Sequence, residues 1–231
     1  MFSHGSIQIA GIRNVQEAKL LEDLHVQYLG FPLVLDFHDE DCTVDEARKI
    51  ISELKKATVP VLITYLTQPM DILALCSFLH LKVVQLHAPT HIQTLLELKR
   101  LDPELVLIKS LIVGQDQSAL FAQAKESTTH VDAFLTDTYD SRTGATGATG
   151  QTHDWQISRD LVKSFQTPLI LAGGLNPENV ADAIRAVQPM GVDCHTGVEG
   201  NDGYKDPDRV LKFIHEAETA FKLKEKIILP E

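Results

Sequence analysis

The chain has 231 residues, a length that suits one α/β barrel, and 44% of them are hydrophobic, enough for a sizeable core. A formal net charge of −11 argues against a non-specific nucleic-acid binder, which carries a basic face. Three cysteines at wide spacing, Cys42, Cys76 and Cys194, exclude a disulfide framework and a CxxC metal site.

Short apolar runs alternate with longer amphipathic ones along the whole chain. The opening Met1–Ser6 is polar and reads as frayed. Ile7–Gly11 reads as a strand, and Asn14 caps a helix running to about Val26. Tyr28–Leu33 is the second strand; Thr43-x-x-Glu46 is a capping box ahead of Ala47, Ile50, Ile51 and Leu54. The pattern continues with a strand at Val59–Leu66, a helix at Pro69–Leu79, a strand at Val83–His87 and a helix at Ile92–Leu101. Next come Leu105–Leu111, a helix at Gln117–Lys125, Asp132–Asp137, and a Gly/Thr/Ala patch at Thr143–Gly150 that reads as a lid. The chain ends with a helix at Ser158–Phe165, a strand at Pro168–Ala172, a helix at Pro177–Val187, a strand at Gly191–His195 and a helix at Pro207–Phe221. Lys222–Glu231 is left as a tail that packs on the barrel or mediates self-association. Strands apolar on both faces suit a parallel sheet covered by helices. Eight strand–helix units without a break predict a single-domain (β/α)8 TIM barrel over residues 1–231.

In such a barrel, strand C-termini face the active site. Gly173-Gly174 and Thr196-Gly197 follow the last two strands, where glycines let a backbone approach a phosphate. Asp137 ends the sixth strand and is a candidate general acid. His87, Lys109, Gly150 and His195 are candidate substrate contacts. Asp36–Asp41 is an acidic loop after the second strand, with Asp36 and His38 as candidate bases; with His87 or His195 it could hold a cation, but no metal or cofactor is expected. No signal-peptide pattern stands at the start and no apolar run spans a bilayer, so the expectation is a cytoplasmic protein with neither membrane nor nucleic-acid partners.

The sequence resembles the phosphoribosylanthranilate isomerase family over nearly its whole length. Ile7–Ile12 is similar to K-I-C-G-I, Val84–His87 to V-Q-L-H and Leu135–Thr138 to L-L-D-T. Gly147–Trp155 is similar to G-G-T-G-x-T-F-D-W, Ala172–Val180 to S-G-G-L-x-P-x-N-V, and Gly191–Glu199 to G-V-D-x-S-S-G-V-E, with Lys205-Asp206 as the later K-D. The resemblance implies an Amadori rearrangement in which the aspartate of L-L-D-T is the acid and the cysteine of K-I-C-G-I the base. Asp137 keeps the acid, whereas Ala10 stands at the base position and Glu40 near the place of an arginine that meets the anthranilate carboxylate. The resulting expectation is a monomer or homodimer that binds a phosphorylated sugar, a divergent sugar-phosphate isomerase or lyase with little family activity. The alternatives are the tryptophan-pathway isomerase itself and a non-catalytic phosphate-ligand binder.

Overall fold

The computed structural model describes residues 2–35, 40–114, 116–138 and 152–228, with side chains as far as residue 223. Eight parallel strands, β1 (Ser6–Ala10), β2 (Tyr28–Pro32), β3 (Val59–Thr64), β4 (Val83–Leu86), β5 (Val106–Val113), β6 (Ala133–Thr138), β7 (Leu169–Leu171) and β8 (Gly191–Cys194), close into a barrel in sequence order. Helices α1 (Val15–Asp23), α2 (Val44–Ser52), α3 (Pro69–Leu79), α4 (Ile92–Leu101), α5 (Gln117–Ser127), α6 (Trp155–Ser164), α7 (Val180–Val187) and α8 (Pro207–Ile228) follow the strands in turn. The ring closes because β8 pairs with β1, in a register that matches Ile9 with Cys194.

Alternation along each strand sorts side chains into two cores. Ile7, Ile9, Leu29, Phe31, Val84, Leu86 and Leu107 point outward and are buried under the helices. Ala10, Tyr28, Val61, Ile63, Ile108, Leu135 and Ile170 point inward and fill the barrel. The same parity decides which strand-end residues reach the mouth.

The helix starts obey the capping chemistry in the sequence. Thr43 Oγ1 accepts from the Glu46 N–H at 3.3 Å while Glu46 Oε2 accepts from the Thr43 N–H at 2.8 Å. Asn14 Oδ1 accepts from the Glu17 N–H at 2.8 Å. Pro69 and Pro207 each open a helix, where the missing N–H costs nothing.

Four expectations need correction. Residues 1–6 do not all fray: Phe2 is buried and stacks on Tyr28 with ring centroids 4.2 Å apart, and Ser6 already belongs to β1. Of the expected tail Lys222–Glu231, residues 222–228 continue α8, which runs to Ile228 with no Gly or Pro to stop it, and residues 229–231 lie outside the described residues. The helix expected from Ser158 starts earlier, at Trp155, because Asp154 caps it by accepting from the Gln156 N–H. The helix expected from Pro177 starts later, at Val180, because Asn176 and Asn179 hold the intervening turn: Asn179 Oδ1 accepts from the Asn176 N–H at 2.8 Å.

Candidate active site

A polar layer crosses the barrel just below the mouth. Gln8 Nε2 donates to Gln85 Oε1 at 3.1 Å and to Asp193 Oδ1 at 2.9 Å. Burial pushes the Asp193 carboxyl up to about 7. All three are inward-pointing residues of β1, β4 and β8, so strand parity places them on one level.

Above that layer, Asp137 on β6 is 8% exposed and lines the central pocket with His87, Tyr65 and Ala10. Asp137 Oδ1 accepts from the Thr138 N–H at 2.7 Å, and its Oδ2 lies 3.8 Å from His87 Nε2. The other ring nitrogen of His87, Nδ1, is 3.0 Å from Ser110 Oγ. A carboxyl held this way sits at a strand end, facing the space a ligand would fill.

The two glycine loops meet on the same pocket. Gly173 and Gly174 have φ of +91° and +62°, a conformation that side chains disfavour. Among the described residues their N–H groups meet no backbone carbonyl. Gly197 packs so closely on the Leu175 carbonyl that a Cβ there would overlap it. Asn179 Nδ2 donates to the Gly174 carbonyl at 2.9 Å, and an Arg209 N–H to the Gly197 carbonyl at 2.8 Å, so both loops are fastened from outside. Gly173, Gly174, Thr196 and Gly197 thus form one wall.

A charged cluster completes the mouth between β8 and β1. His195 presses on Gly11, where any Cβ would strike its Nε2. Asp41 Oδ2 lies 3.3 Å and Glu199 Oε1 3.6 Å from that nitrogen. Lys205 Nζ donates to Glu199 at 2.7 Å and to the His195 carbonyl at 3.2 Å, while Arg13 Nε is 3.5 Å from Asp41. Burial pushes the Asp41 carboxyl up, but His195, Lys205 and Arg13 outweigh it and hold the group below the usual carboxylate range. Asp41, His195 and Glu199 bring three possible metal-ligand atoms within 4.8 Å of one another, yet Lys205 and Arg13 already neutralise the two carboxylates.

Residues 7–216 match the family model described as N-(5'-phosphoribosyl)anthranilate (PRA) isomerase. The chain belongs to the PRA isomerase family. A curated relative, N-(5'-phosphoribosyl)anthranilate isomerase 2 of Methanosarcina mazei, is 35% identical over 93% of this chain and 95% of its own. Among solved structures, phosphoribosyl anthranilate isomerase from Thermotoga maritima superposes with a TM-score of 0.78 at 29% identity, covering 92% of this chain and 98% of that one. A PRA isomerase in complex with reduced 1-(o-carboxyphenylamino)-1-deoxyribulose 5-phosphate gives 0.73 at 28% identity, covering 92% and 98%.

Against the PRA isomerase pattern, the structure brings together Asp137, His87, His195, Gly173, Gly174, Thr196 and Gly197 in one pocket. Lys109 does not join them. It is an outward residue of β5, so its side chain enters an adjoining cavity and Nζ donates to the Thr90 carbonyl at 3.2 Å. Burial pulls its pKa down to about 8. Its neighbour Ser110 points inward instead; taking strand ends without counting parity picked the wrong one of the pair. Asp36, His38 and Gly150 lie outside the described residues, as does the Thr143–Gly150 patch. Glu40, near the family arginine, accepts from the Val34 N–H at 2.6 Å. Sequence reading missed Asp193, Gln8 and Gln85, whose inward parity was the available signal. The sequence set the Asp36–Asp41 loop beside His195 only as a possible cation site; the structure pairs Asp41 directly with His195 Nε2 at 3.3 Å.

His153 replaces the phenylalanine of the family's lid motif. Its Nε2 is 2.6 Å from Ser158 Oγ, its Nδ1 is 3.1 Å from Thr138 Oγ1, and burial pulls its pKa down to about 4. The unfolded chain takes up a proton near pH 6.5 that the folded chain refuses until about 4. Stability is therefore full above pH 6.5, falls as the pH drops towards 4, and changes no further from this group below that. His153→Phe should flatten the dependence between those limits, by a few kcal/mol at the acid end. Urea unfolding of both proteins at pH 4.5 and 7.5 checks this; equal pH slopes would rule the account out.

Proposed function

We propose that the chain is a PRA isomerase, catalysing the ring-opening rearrangement of N-(5'-phosphoribosyl)anthranilate. One observation carries the reading: Asp137 shares a pocket with the two glycine loops, at a separation set by strands β6, β7 and β8. The 5'-phosphate lies against Gly173, Gly174, Thr196 and Gly197, where closely approaching backbone suits a phosphate. Asp137 then gives its proton to the ribose ring oxygen as the C1–O bond breaks. Nitrogen's lone pair forms a C1=N iminium. Loss of the C2 proton makes the C1=C2 enol, which collapses to the C2 ketone as C1 regains a proton. A solved relative 28% identical to this chain is in complex with reduced 1-(o-carboxyphenylamino)-1-deoxyribulose 5-phosphate, a ligand of the class this reading requires.

A second reading keeps the reaction and changes the amine. Among the described residues, the pocket lining contains no lysine or arginine to meet the anthranilate carboxylate. Incubating the purified chain with N-(5'-phosphoribosyl)anthranilate, and separating the ketose product by chromatography, tests the first reading. Product formation is expected. An unchanged substrate, together with rearrangement of a phosphoribosylamine lacking the carboxylate, would transfer the assignment to the second.

A further inference from the structure

We propose that His195 is the base that takes the C2 proton, with Asp41 as the residue that positions its imidazole. The inference rests on the isomerase reading above, which requires such a base.

Ala10 offers only a methyl group where the family resemblance places a cysteine. The β1–β8 register pairs Ile9 with Cys194, so Ala10 and His195 are the next residues on two adjacent strands. A residue that the family pattern gives as serine is here an imidazole, over the end of β1 and facing the pocket. A proton acceptor has gone from one strand, and another stands on its hydrogen-bonded neighbour. β6, which carries Asp137, is two strands away from β8 around the ring, so acid and base reach the sugar from different sides.

Other titratable groups near the pocket have partners or settings of their own. Asp193 accepts from Gln8 in the layer below. Cys194 donates its thiol proton to the Leu175 carbonyl at 3.1 Å, and burial pushes that thiol upward, away from a thiolate. Burial likewise pushes Cys42 and Cys76 up to about 12. His87 stands beside the acid.

Two carboxylate oxygens face Nε2, Asp41 at 3.3 Å and Glu199 at 3.6 Å, which assigns the neutral ring's proton to Nε2 and its lone pair to Nδ1. A buried carboxylate that fixes the tautomer of an imidazole is the arrangement by which histidine bases are oriented. The C2 hydrogen leaves as a proton to this ring. The C2–H pair becomes the C1=C2 bond and the iminium π pair returns to nitrogen; the imidazolium then gives the proton back at C1 while the C2 hydroxyl proton returns to the Asp137 carboxylate, leaving the C2 ketone. Asp41 and Glu199, 3.3 Å and 3.6 Å from Nε2, stabilise the imidazolium formed during the step.

The test measures kcat, KM and the pH profile of the unmodified chain, His195→Ser, His195→Asn and the double variant Ala10→Cys/His195→Ser. His195→Ser and His195→Asn should each lose on the order of 10²–10⁴ in kcat, with KM within a few-fold. The double variant should recover at least about tenfold over His195→Ser, and its acid limb should differ from that of the unmodified chain, because a thiol replaces the imidazole as base. Retention of kcat by either single variant, or a rescued enzyme with an unmoved acid limb, overturns the assignment and leaves the isomerase reading intact. An inactive unmodified chain with an active double variant overturns it too, since the scaffold then works only with the thiol. If all four are inactive, the substrate reading fails and the base assignment falls with it.

Discussion

Asp137→Asn should lower kcat for N-(5'-phosphoribosyl)anthranilate on the order of 10²–10⁴-fold while leaving KM within a few-fold. The amide has the same shape, and its oxygen can still accept from the Thr138 N–H, so the 2.7 Å bond that orients the side chain survives. What is lost is the proton delivered to the ring oxygen. His87 presents Nε2 3.8 Å from the carboxyl, with its Nδ1 3.0 Å from Ser110 Oγ. Folding should tolerate the change, since the amide fills the same space and keeps the contact with the Thr138 N–H. Steady-state rates decide the matter: a kcat within about threefold of the unmodified chain would remove Asp137 from the acid role and leave the pocket as a binding site.

Gly197→Ala should damage binding more than chemistry. The backbone at Gly197 is not in the left-handed region, so the problem is space: the new Cβ overlaps the Leu175 carbonyl and sits 3.0 Å from Cys194 Sγ. A backbone carbonyl cannot rotate away as a side chain can, so the loop after β7 and the loop after β8 must separate. Overpacking of this kind costs about 1–3 kcal/mol. The two halves of the phosphate cradle move with the loops, and KM should rise at least about tenfold, with inhibition by inorganic phosphate weakening in parallel. Gly200→Ala is the control: its Cβ meets Asp202 Oδ1 at 3.1 Å, the end of a side chain that can yield. Thermal melts and phosphate inhibition of both variants give the answer. If Gly197→Ala melts and binds like Gly200→Ala, the two loops do not form a single phosphate wall.

The barrel was legible because its determinants are local. The eight apolar runs and the caps at Thr43 and Asn14 belong to short windows, and each run recurs as a strand in the closed ring. The phosphate wall was legible for a similar reason: Gly173-Gly174 and Thr196-Gly197 follow consecutive strands, and adjacent strands of a parallel barrel deliver their loops side by side. Lys109 shows where this reasoning stops. It stands near a strand end like the others, but the alternation of side chains turns it to the helix side, and only Ser110 faces in.

Length, hydrophobic periodicity, capping residues and glycine placement determined the architecture of this protein, because each acts over a few residues and needs no distant partner. The tertiary structure alone decided the charged cluster. Asp41 and His195 are separated by most of the chain, and they meet only because β8 closes the ring against β1 and sets His195 over Gly11. The same closure gathers Gln8, Gln85 and Asp193 from three strands into one buried layer. Charges and amides act through space at distances of a few ångströms, and chain separation carries no information about which of them will lie that close once the barrel shuts.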